Sequence, residues 1–356
     1  MLLKIRSVSR WGVCRSGASI VSRCMVLYHL RLCQRHCRMA EQFPLPRAWR
    51  GQNGFPSDKG RALEAPSADT VAEGQCMPLH IMLIVLGAAA LHATWNALIK
   101  AGTDTFLATV LIVTCAGAWG GVTLPFRPLP APACWPYLLT SVAIHFAYFS
   151  CIALAYRQGD LSYAYPLMRG TAPLLTAVAG VVLVREPLSA GGMLGIALLS
   201  LGILLLAGET LWAGTLPPRA TVFALANAVV ISTYTLVDGF GVRRSGDAAS
   251  YIAWLLVLSA LGLLSFVLTT RRRALRLHFQ AYWKHGLLGG LCTMLSYGLA
   301  LWAMTYASVA LVAALRETSV IFATLIGTVS LKEHFGMARA MAVLLVTAGA
   351  TAMRLL

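Results

Sequence analysis

An arginine inside an apolar segment constrains this chain more than any other feature. Residues 159–185 are long enough to cross a bilayer, which takes about 20 helical residues, yet they hold Arg169 between two prolines. A second such segment follows 147 residues later, and there Arg316 stands at the matching position. The shared pairs are Thr171 and Thr318, Gly180 and Gly327, Val182 and Val329, and Arg185–Glu186 and Lys332–Glu333. Two segments that match in this way predict a duplicated membrane protein.

The composition supports an all-α integral membrane protein. Hydrophobic residues make up 58% of the chain and charged residues 12%, whereas soluble domains carry about 25% charged residues. The net charge is +16, but 12 of the 29 Lys and Arg residues precede Met77. Six others lie in two short clusters between apolar segments, which is typical of membrane-flanking charge: Arg243, Arg244, Arg271, Arg272, Arg273 and Arg276. No basic-aromatic motif accompanies the charge, so we expect no nucleic-acid partner.

Ten apolar segments follow Met77, and we predict ten transmembrane helices. They cover residues 79–99, 106–124, 135–156, 162–184, 189–207, 220–237, 250–270, 286–306, 308–331 and 335–353. An odd number of crossings per repeat turns the second copy upside down. We therefore predict two inverted five-helix repeats, residues 77–208 and 209–356, around a site near the bilayer midplane. Rocking of one half against the other would open this site to either side in turn.

The extension formed by residues 1–76 differs from the rest of the chain. It is basic and rich in Arg, Ser and Cys at its start, and then in Pro, Gly and charged residues without periodicity. We expect it to be poorly ordered, because it cannot bury enough apolar area to offset its chain entropy. Three interpretations remain open: an organellar targeting segment, a basic tail that touches lipid, or untranslated sequence upstream of a start at Met77, which we favour. The orientation depends on this choice, since loop charges counted from Met77 and from Met1 favour opposite topologies.

Polar side chains lie on one face of the first and sixth predicted helices. His92 and Asn96 are four residues apart with Trp95 beside them, and Tyr234 and Asp238 repeat this spacing. We interpret both faces as lining a polar cavity, although hydrogen bonding between helices would place the same residues inward. Asp238 precedes Gly239, so a solvated position at the helix end is its alternative.

Arg169 and Arg316 are the main candidates for substrate binding. Ionisable residues inside membrane spans usually face the bundle interior or a wet cavity, and guanidinium suits carboxylate or phosphate. Tyr165 lies one turn before Arg169, where its ring could close over a substrate. The alternative is a structural ion pair with Glu317 or Asp160. Pro166 and Pro173 should interrupt the hydrogen bonding of this helix.

Glu317 is the first candidate for a carboxylate that exchanges protons during transport, and Asp238 is the second. A permanently ionised Glu317 paired to either arginine is the alternative. Glu186 and Glu333 end matching helices, and we interpret them as structural corners at the water interface.

No catalytic, metal or cofactor site is expected. The loops hold no nucleophile with a base, no cluster of His or Asp and no Gly-rich phosphate cradle. Cys33, His36 and Cys37 fit no standard zinc spacing. The chain is therefore not expected to be an enzyme.

The segments AYRQGDLSYAYPLMRGTAPLL, VLVREPLS and ALVAALRETSVIFATLIGTVSLKEHFG resemble the EamA-type transporters of the drug/metabolite transporter superfamily. The resemblance covers residues 77–356 and implies an inner-membrane carrier with ten helices and cytoplasmic termini. It also implies a central cavity lined by the first, third, fourth, sixth, eighth and ninth helices. The residues it places there are His92, Trp95, Asn96, Tyr165, Arg169, Tyr234 and Arg316. Small four-helix relatives use a glutamate in the first span, where this chain has none.

These observations predict a secondary transporter for a small polar metabolite, such as an amino acid or an organophosphonate. Export rather than uptake follows only from the family. The alternative is a flippase or exporter of lipophilic compounds, which the segments rich in Trp and Tyr allow. The expected partners are a small-molecule substrate, the lipid bilayer and a proton or another coupling ion.

Overall fold

The computed structural model describes residues 77–330 and 336–355, apart from positions 101, 103, 159, 160, 207 and 209–217. The extension of residues 1–76 lies outside the described residues, and so do Asp160, Lys332 and Glu333. The three interpretations of the extension therefore stay predictions.

The described residues form α-helices and short 3₁₀ turns, without a strand. The α-helices are α1 (Leu79–Lys100), α2 (Thr105–Thr123), α3 (Trp135–Gln158), α4 (Leu161–Ala179), α5 (Ala190–Leu205), α6 (Pro218–Arg243), α7 (Ala248–Thr270), α8 (Arg272–Ala303), α9 (Val309–Arg316), α10 (Ser319–Ser330) and α11 (Met337–Leu355). A π-helical turn, Gly180–Val184, extends α4, and Arg185 ends it in the left-handed conformation. Asp104, Ser189 and Asp247 accept backbone N–H bonds at the starts of α2, α5 and α7, which satisfies donors that have no partner within the helix.

All ten predicted segments are helical, with two corrections. The predicted ninth span is broken into α9 and α10. The stretch Arg272–His285 was predicted as a connection but belongs to α8, where it buries Leu275 and His278 three residues apart. Apolar residues at helical spacing inside a basic stretch explain this early start, and a non-helical conformation at Tyr282 marks the join.

Eight helical segments are long and apolar enough to cross a membrane, and α5 is a shorter apolar helix. Large apolar side chains cover the outside of these helices; exposed examples are Leu83, Val122, Leu201, Val229, Leu261 and Leu344. A surface this apolar is suited to lipid rather than water. The chain is an all-α integral membrane protein, while the count of ten crossings remains a prediction.

Helices of one predicted half pack mainly on helices of the other half. α1 packs on α8 and on α9 and α10, while α6 packs on α3 and α4; α2 meets α7, and α5 meets α11. Replacing each helix by its counterpart in the other half reproduces these pairs. This pattern supports the predicted duplication, which otherwise rests on the sequence.

Loop contacts place alternate connections at the same end of the bundle. Met77 contacts Arg354, and Ala131 bonds Ser245. Glu186 bonds Arg243 and the backbone of Val309 at that end too. Arg271 covers the ring of Phe106 at the other end. The chain thus leaves the first five helices at the end opposite to the one where it entered them.

Candidate functional site

Tyr251 of α7 reaches the interior beside Asp238, and six other helices contribute polar or aromatic side chains there. They are α1, α3, α4, α6, α8 and α9, the set that the family resemblance implies. Their side chains form a connected cluster that we call the arginine cluster, and its members are His92, His145, Arg169, Tyr234, Asp238, Tyr297, Arg316 and Glu317.

Arg169 of α4 is held by a buried ion pair. Arg169 is only 5% exposed, and its Nη2 lies 2.8 Å from Oε1 of Glu317. The same nitrogen lies 3.3 Å from Nε2 of His92 on α1, so a His92 tautomer with its proton on Nδ1 accepts a bond there. The alternative of an ion pair with Glu317 is therefore what the structure shows for Arg169.

Arg316 of α9 is buried without such a partner. Its residue is 6% exposed, and Nε has no hydrogen-bond partner. No ion pair of Arg316 occurs among the described residues. Its guanidinium carbon lies 5.6 Å from the centre of the Tyr297 ring, a cation–π distance. Because its Nε has no acceptor, this buried cation has unused capacity for an anion.

Glu317 connects the two arginines. One carboxylate oxygen binds Arg169, while Oε2 is buried and has no partner in the described structure. Both guanidinium groups interact electrostatically with this carboxylate. The repeat explains the asymmetry, because the position that matches Glu317 in the first half is Gly170. One acid therefore serves two equivalent cations.

A helix break positions Arg316 and Glu317. α9 ends at Arg316 and α10 begins at Ser319, and the N–H groups of Glu317 and Thr318 bond three residues back, to Ala314 and Leu315. The Thr318 hydroxyl also donates to the carbonyl of Leu315 at 2.7 Å, and so competes with the regular helical ladder. Discontinuous helices at membrane depth typically line binding sites.

The matching helix in the first half behaves differently. α4 continues as a helix through Pro166 and Pro173, so the loss of hydrogen bonds predicted at these prolines does not end it. Pro173 still lacks the N–H that would bond the carbonyl of Arg169. The break in the helical hydrogen bonding thus falls in the matching segment, residues 308–331, which contains no proline.

Asp238 lies deep in the protein, and the alternative of a solvated helix end is wrong. α6 continues five residues beyond it to Arg243, and Asp238 is fully buried. Its Oδ1 accepts the hydroxyl of Tyr251 at 2.9 Å, and its Oδ2 accepts the hydroxyl of Tyr297. Tyr297 therefore touches Asp238 with its hydroxyl and Arg316 with its ring.

The polar stripe of α6 is inward, as predicted. Tyr234 is buried, and its ring lies 4.6 Å from the imidazole of His145 on α3. Asn227 donates to the sulfur of Met168 at 3.0 Å, and its Oδ1 is buried without a partner. A second unused acceptor therefore lies in the interior.

Three predicted site residues are less clearly part of the cluster. Asn96 donates to the carbonyl of His92 in its own helix at 2.7 Å, so this amide is used locally. Trp95 packs edge-on against the His92 imidazole with ring centres 5.1 Å apart. Tyr165 is half-buried one turn before Arg169. Tyr165 nevertheless lies close enough to interact electrostatically with Arg169, Glu317 and Arg316.

Sequence reasoning missed Tyr251 and Tyr297. Each lies in an apolar stretch, Ile252–Leu258 following Tyr251 and Gly298–Ala303 following Tyr297, which looks the same as ordinary membrane core. Only the position of Asp238 between α7 and α8 reveals their roles. Glu186, in contrast, forms a structural corner as predicted, where it binds Arg243 at 3.0 Å.

The two cavities that are best defined among the described residues lie away from the arginine cluster, so they do not test the predicted central cavity. A small cavity of about 40 Å³ lies elsewhere, between α1, α2 and α8, and includes Leu98, His278 and Tyr282 in its lining. No group of three or more His, Cys, Asp and Glu residues that could hold a metal ion occurs in the described part of the chain. The central cavity stays a prediction.

Comparison with known proteins finds a family model that matches part of the chain. Residues 218–355 match the model of the EamA-like transporter family, while the first predicted repeat lies outside the matched range. A solved crystal structure, described only as that of a protein, is similar in fold with a TM-score of 0.62 and 21% identity, over 78% of this chain and 98% of its own. No curated protein matches the chain.

Proposed function

The chain is a multi-pass membrane protein with an EamA-like transporter domain at residues 218–355, and on this premise we propose a secondary transporter that exports a small polar metabolite with an acidic group. The acidic group would be a carboxylate or a phosphonate, as in an amino acid or an organophosphonate. The cell inner membrane is the proposed location.

The unpaired guanidinium of Arg316 carries this proposal. Its Nε is a buried donor without an acceptor, and its planar fork suits a carboxylate or phosphonate in two-point contact. An isolated cation in a low-dielectric interior is costly, so an entering anion gains more there than in water. Oε2 of Glu317 and Oδ1 of Asn227 are free acceptors for an ammonium or hydroxyl group on the same substrate.

Glu317 provides a route for coupling. A substrate anion that binds Arg316 adds negative charge beside a carboxylate that is already buried. Protonation of Glu317 would relieve this repulsion and release Arg169 from its ion pair. In this scheme the binding of substrate and the binding of a proton depend on each other. Asp238 would be affected as well, because Tyr297 contacts both Asp238 and Arg316.

Transport by proteoliposomes tests the proposal. A thermal-shift screen of the purified protein against acidic, zwitterionic, neutral and lipophilic cationic compounds would first identify a ligand, because binding stabilises the folded state. We expect acidic or zwitterionic ligands to raise the melting temperature and to be transported. Arg316→Gln should abolish both effects, while Arg219→Gln, a change of an exposed arginine at the start of α6, should preserve them.

The opposite pattern would reject the proposal. Stabilisation and transport of lipophilic cations by the parent, unchanged in Arg316→Gln, would instead support the alternative of a lipophilic-compound exporter. Full transport of an acidic metabolite by a folded Arg316→Gln protein would remove Arg316 from the mechanism.

A further inference from the structure

The start of α8 presents a strongly basic surface outside the arginine cluster. Arg271, Arg272, Arg273 and Arg276 fall within six positions and are exposed. No acidic residue occurs in the sequence between Asp247 and Glu317. Neither Arg272 nor Arg276 has an acidic partner among the described residues. Within the described part of the chain, Arg272 and Arg276 therefore carry positive charge that no ion pair neutralises.

A groove lies beside two of these arginines. It has a volume of about 430 Å³ and is lined by Leu268, Arg272, Leu275, Arg276, Phe279 and Gln280. Arg272, Arg276, Phe279 and Gln280 follow the spacing i, i+4, i+7 and i+8, so they form one stripe along α8. Leu268, at the end of α7, forms the facing wall.

The groove combines a charged end and an apolar end. Both guanidinium groups lie one helical turn apart and can share a phosphate. Phe279 and Leu268 are exposed at 45% and 44%, and Leu277 and Trp283 are exposed on the same segment. Exposed aromatic and aliphatic groups beside arginines are typical of the bilayer interface, where headgroups meet acyl chains.

Helix electrostatics favour an anion at this place. Arg271 is the N-cap of α8 without a side-chain cap bond, and two more arginines follow in the first turn. Cations at the positive end of a helix oppose its dipole and lower its stability. The guanidinium of Arg271 packs over the ring of Phe106, whereas Arg272 and Arg276 line the groove.

We propose that this groove binds an anionic phospholipid, with Arg272 and Arg276 on the headgroup phosphate and with Leu268 and Phe279 against the acyl chains. Charge complementarity selects the anionic lipid, and the apolar walls select a lipid over free phosphate. The site is separate from the proposed transport site and does not depend on it.

Native mass spectrometry of the detergent-solubilised full chain tests this site with phosphatidylglycerol and phosphatidylcholine. We expect phosphatidylglycerol to bind more tightly. Each basic residue near an anionic bilayer surface contributes about fivefold in affinity, so Arg272→Gln/Arg276→Gln should weaken this binding about thirtyfold. The two single variants should fall between the parent and the double variant.

Arg273→Gln is the matched control, because Arg273 is exposed in the same turn but does not line the groove. It should keep parental affinity, and circular dichroism should show equal helix content in all variants. Equal weakening by Arg273→Gln would show a diffuse charge effect and overturn the site. Parental affinity in the double variant, equal binding of phosphatidylcholine, or displacement by soluble glycerol 3-phosphate at similar concentrations would also overturn it.

Discussion

Arg169 and Arg316 occupy matching sequence positions but different electrostatic environments. Arg169 is neutralised by Glu317, whereas Arg316 rests on an aromatic ring. Removing one partner of a buried pair strands the other charge, while removing an unpaired buried cation removes a cost. Sequence equivalence therefore does not imply equal contributions to stability.

Substitution of the two arginines should separate stability from transport. We expect Arg169→Gln to lower the free energy of unfolding by about 3–5 kcal/mol, because Glu317 loses its ion partner. Arg316→Gln should leave it unchanged or raise it, while abolishing binding of an acidic substrate. Unfolding in detergent, followed by circular dichroism, measures both. Arg169→Gln/Glu317→Gln should recover much of the loss, and equal destabilisation by both single changes would contradict the assigned pairing.

Asp238 depends on its two tyrosine donors in a comparable way. Tyr251→Phe should cost about 1.5–3 kcal/mol of unfolding free energy, since a hydrogen bond to a buried carboxylate is lost. Tyr137→Phe is the control, because its hydroxyl makes no hydrogen bond among the described residues. Similar stability of the two variants would contradict a structural role for the Tyr251 hydroxyl.

At the scale of helices, close crossings depend on small residues. A Cβ at Gly195 of α5 would lie 2.4 Å from Cγ of Met353 and 2.7 Å from the carbonyl oxygen of Gly349 on α11. A rotation of the Met353 side chain could not relieve both contacts, because the Gly349 oxygen belongs to the backbone. The α5–α11 pair is thus fixed by its glycines.

Alanine substitutions test this crossing. Gly195→Ala should destabilise the protein by about 1–3 kcal/mol through overpacking. Gly87→Ala is the matched control on α1, because a Cβ there meets nothing within 4 Å. That change should be neutral or stabilise the helix by up to about 1 kcal/mol. Equal melting temperatures for both variants would show that α5 and α11 can separate without penalty.

The sequence was informative where a helix had a strong pattern. The long apolar segments and the inward position of Tyr234 and Asp238 could be predicted from their patterns. The break after Arg316 could not, because Glu317 and Thr318 are compatible with a helix and the competing Thr318 hydroxyl bond depends on tertiary position. Tyr251 and Tyr297 were missed for a related reason, since their partner Asp238 is distant in the chain.

At the scale of the molecule, five helical segments precede the connection to α6, so matching loops of the two halves should face opposite sides if each segment crosses the membrane. Contacts support this, because Glu186 and Arg243 share one end with Met77 and Arg354. Pairing between counterpart helices points the same way. An inverted repeat therefore predicts which loops can be reached from each side of the membrane.

Cysteine labelling tests the inversion. In a variant without other cysteines, Phe126→Cys and Leu355→Cys should react with a membrane-impermeant maleimide from one side. Met337→Cys should react from the other side. All three positions are strongly exposed, so access through the bundle does not limit the reaction. Labelling of all three from one side would rule out the five-plus-five arrangement.

Glycine at position 170 and glutamate at position 317 have a consequence for the resting protein. In a carrier made of two identical halves, the inward-open and outward-open forms would have the same free energy and would be equally populated. With a carboxylate in only one half, the two forms differ in energy. We therefore expect the proposed carrier, when it is empty, to face one compartment more often than the other.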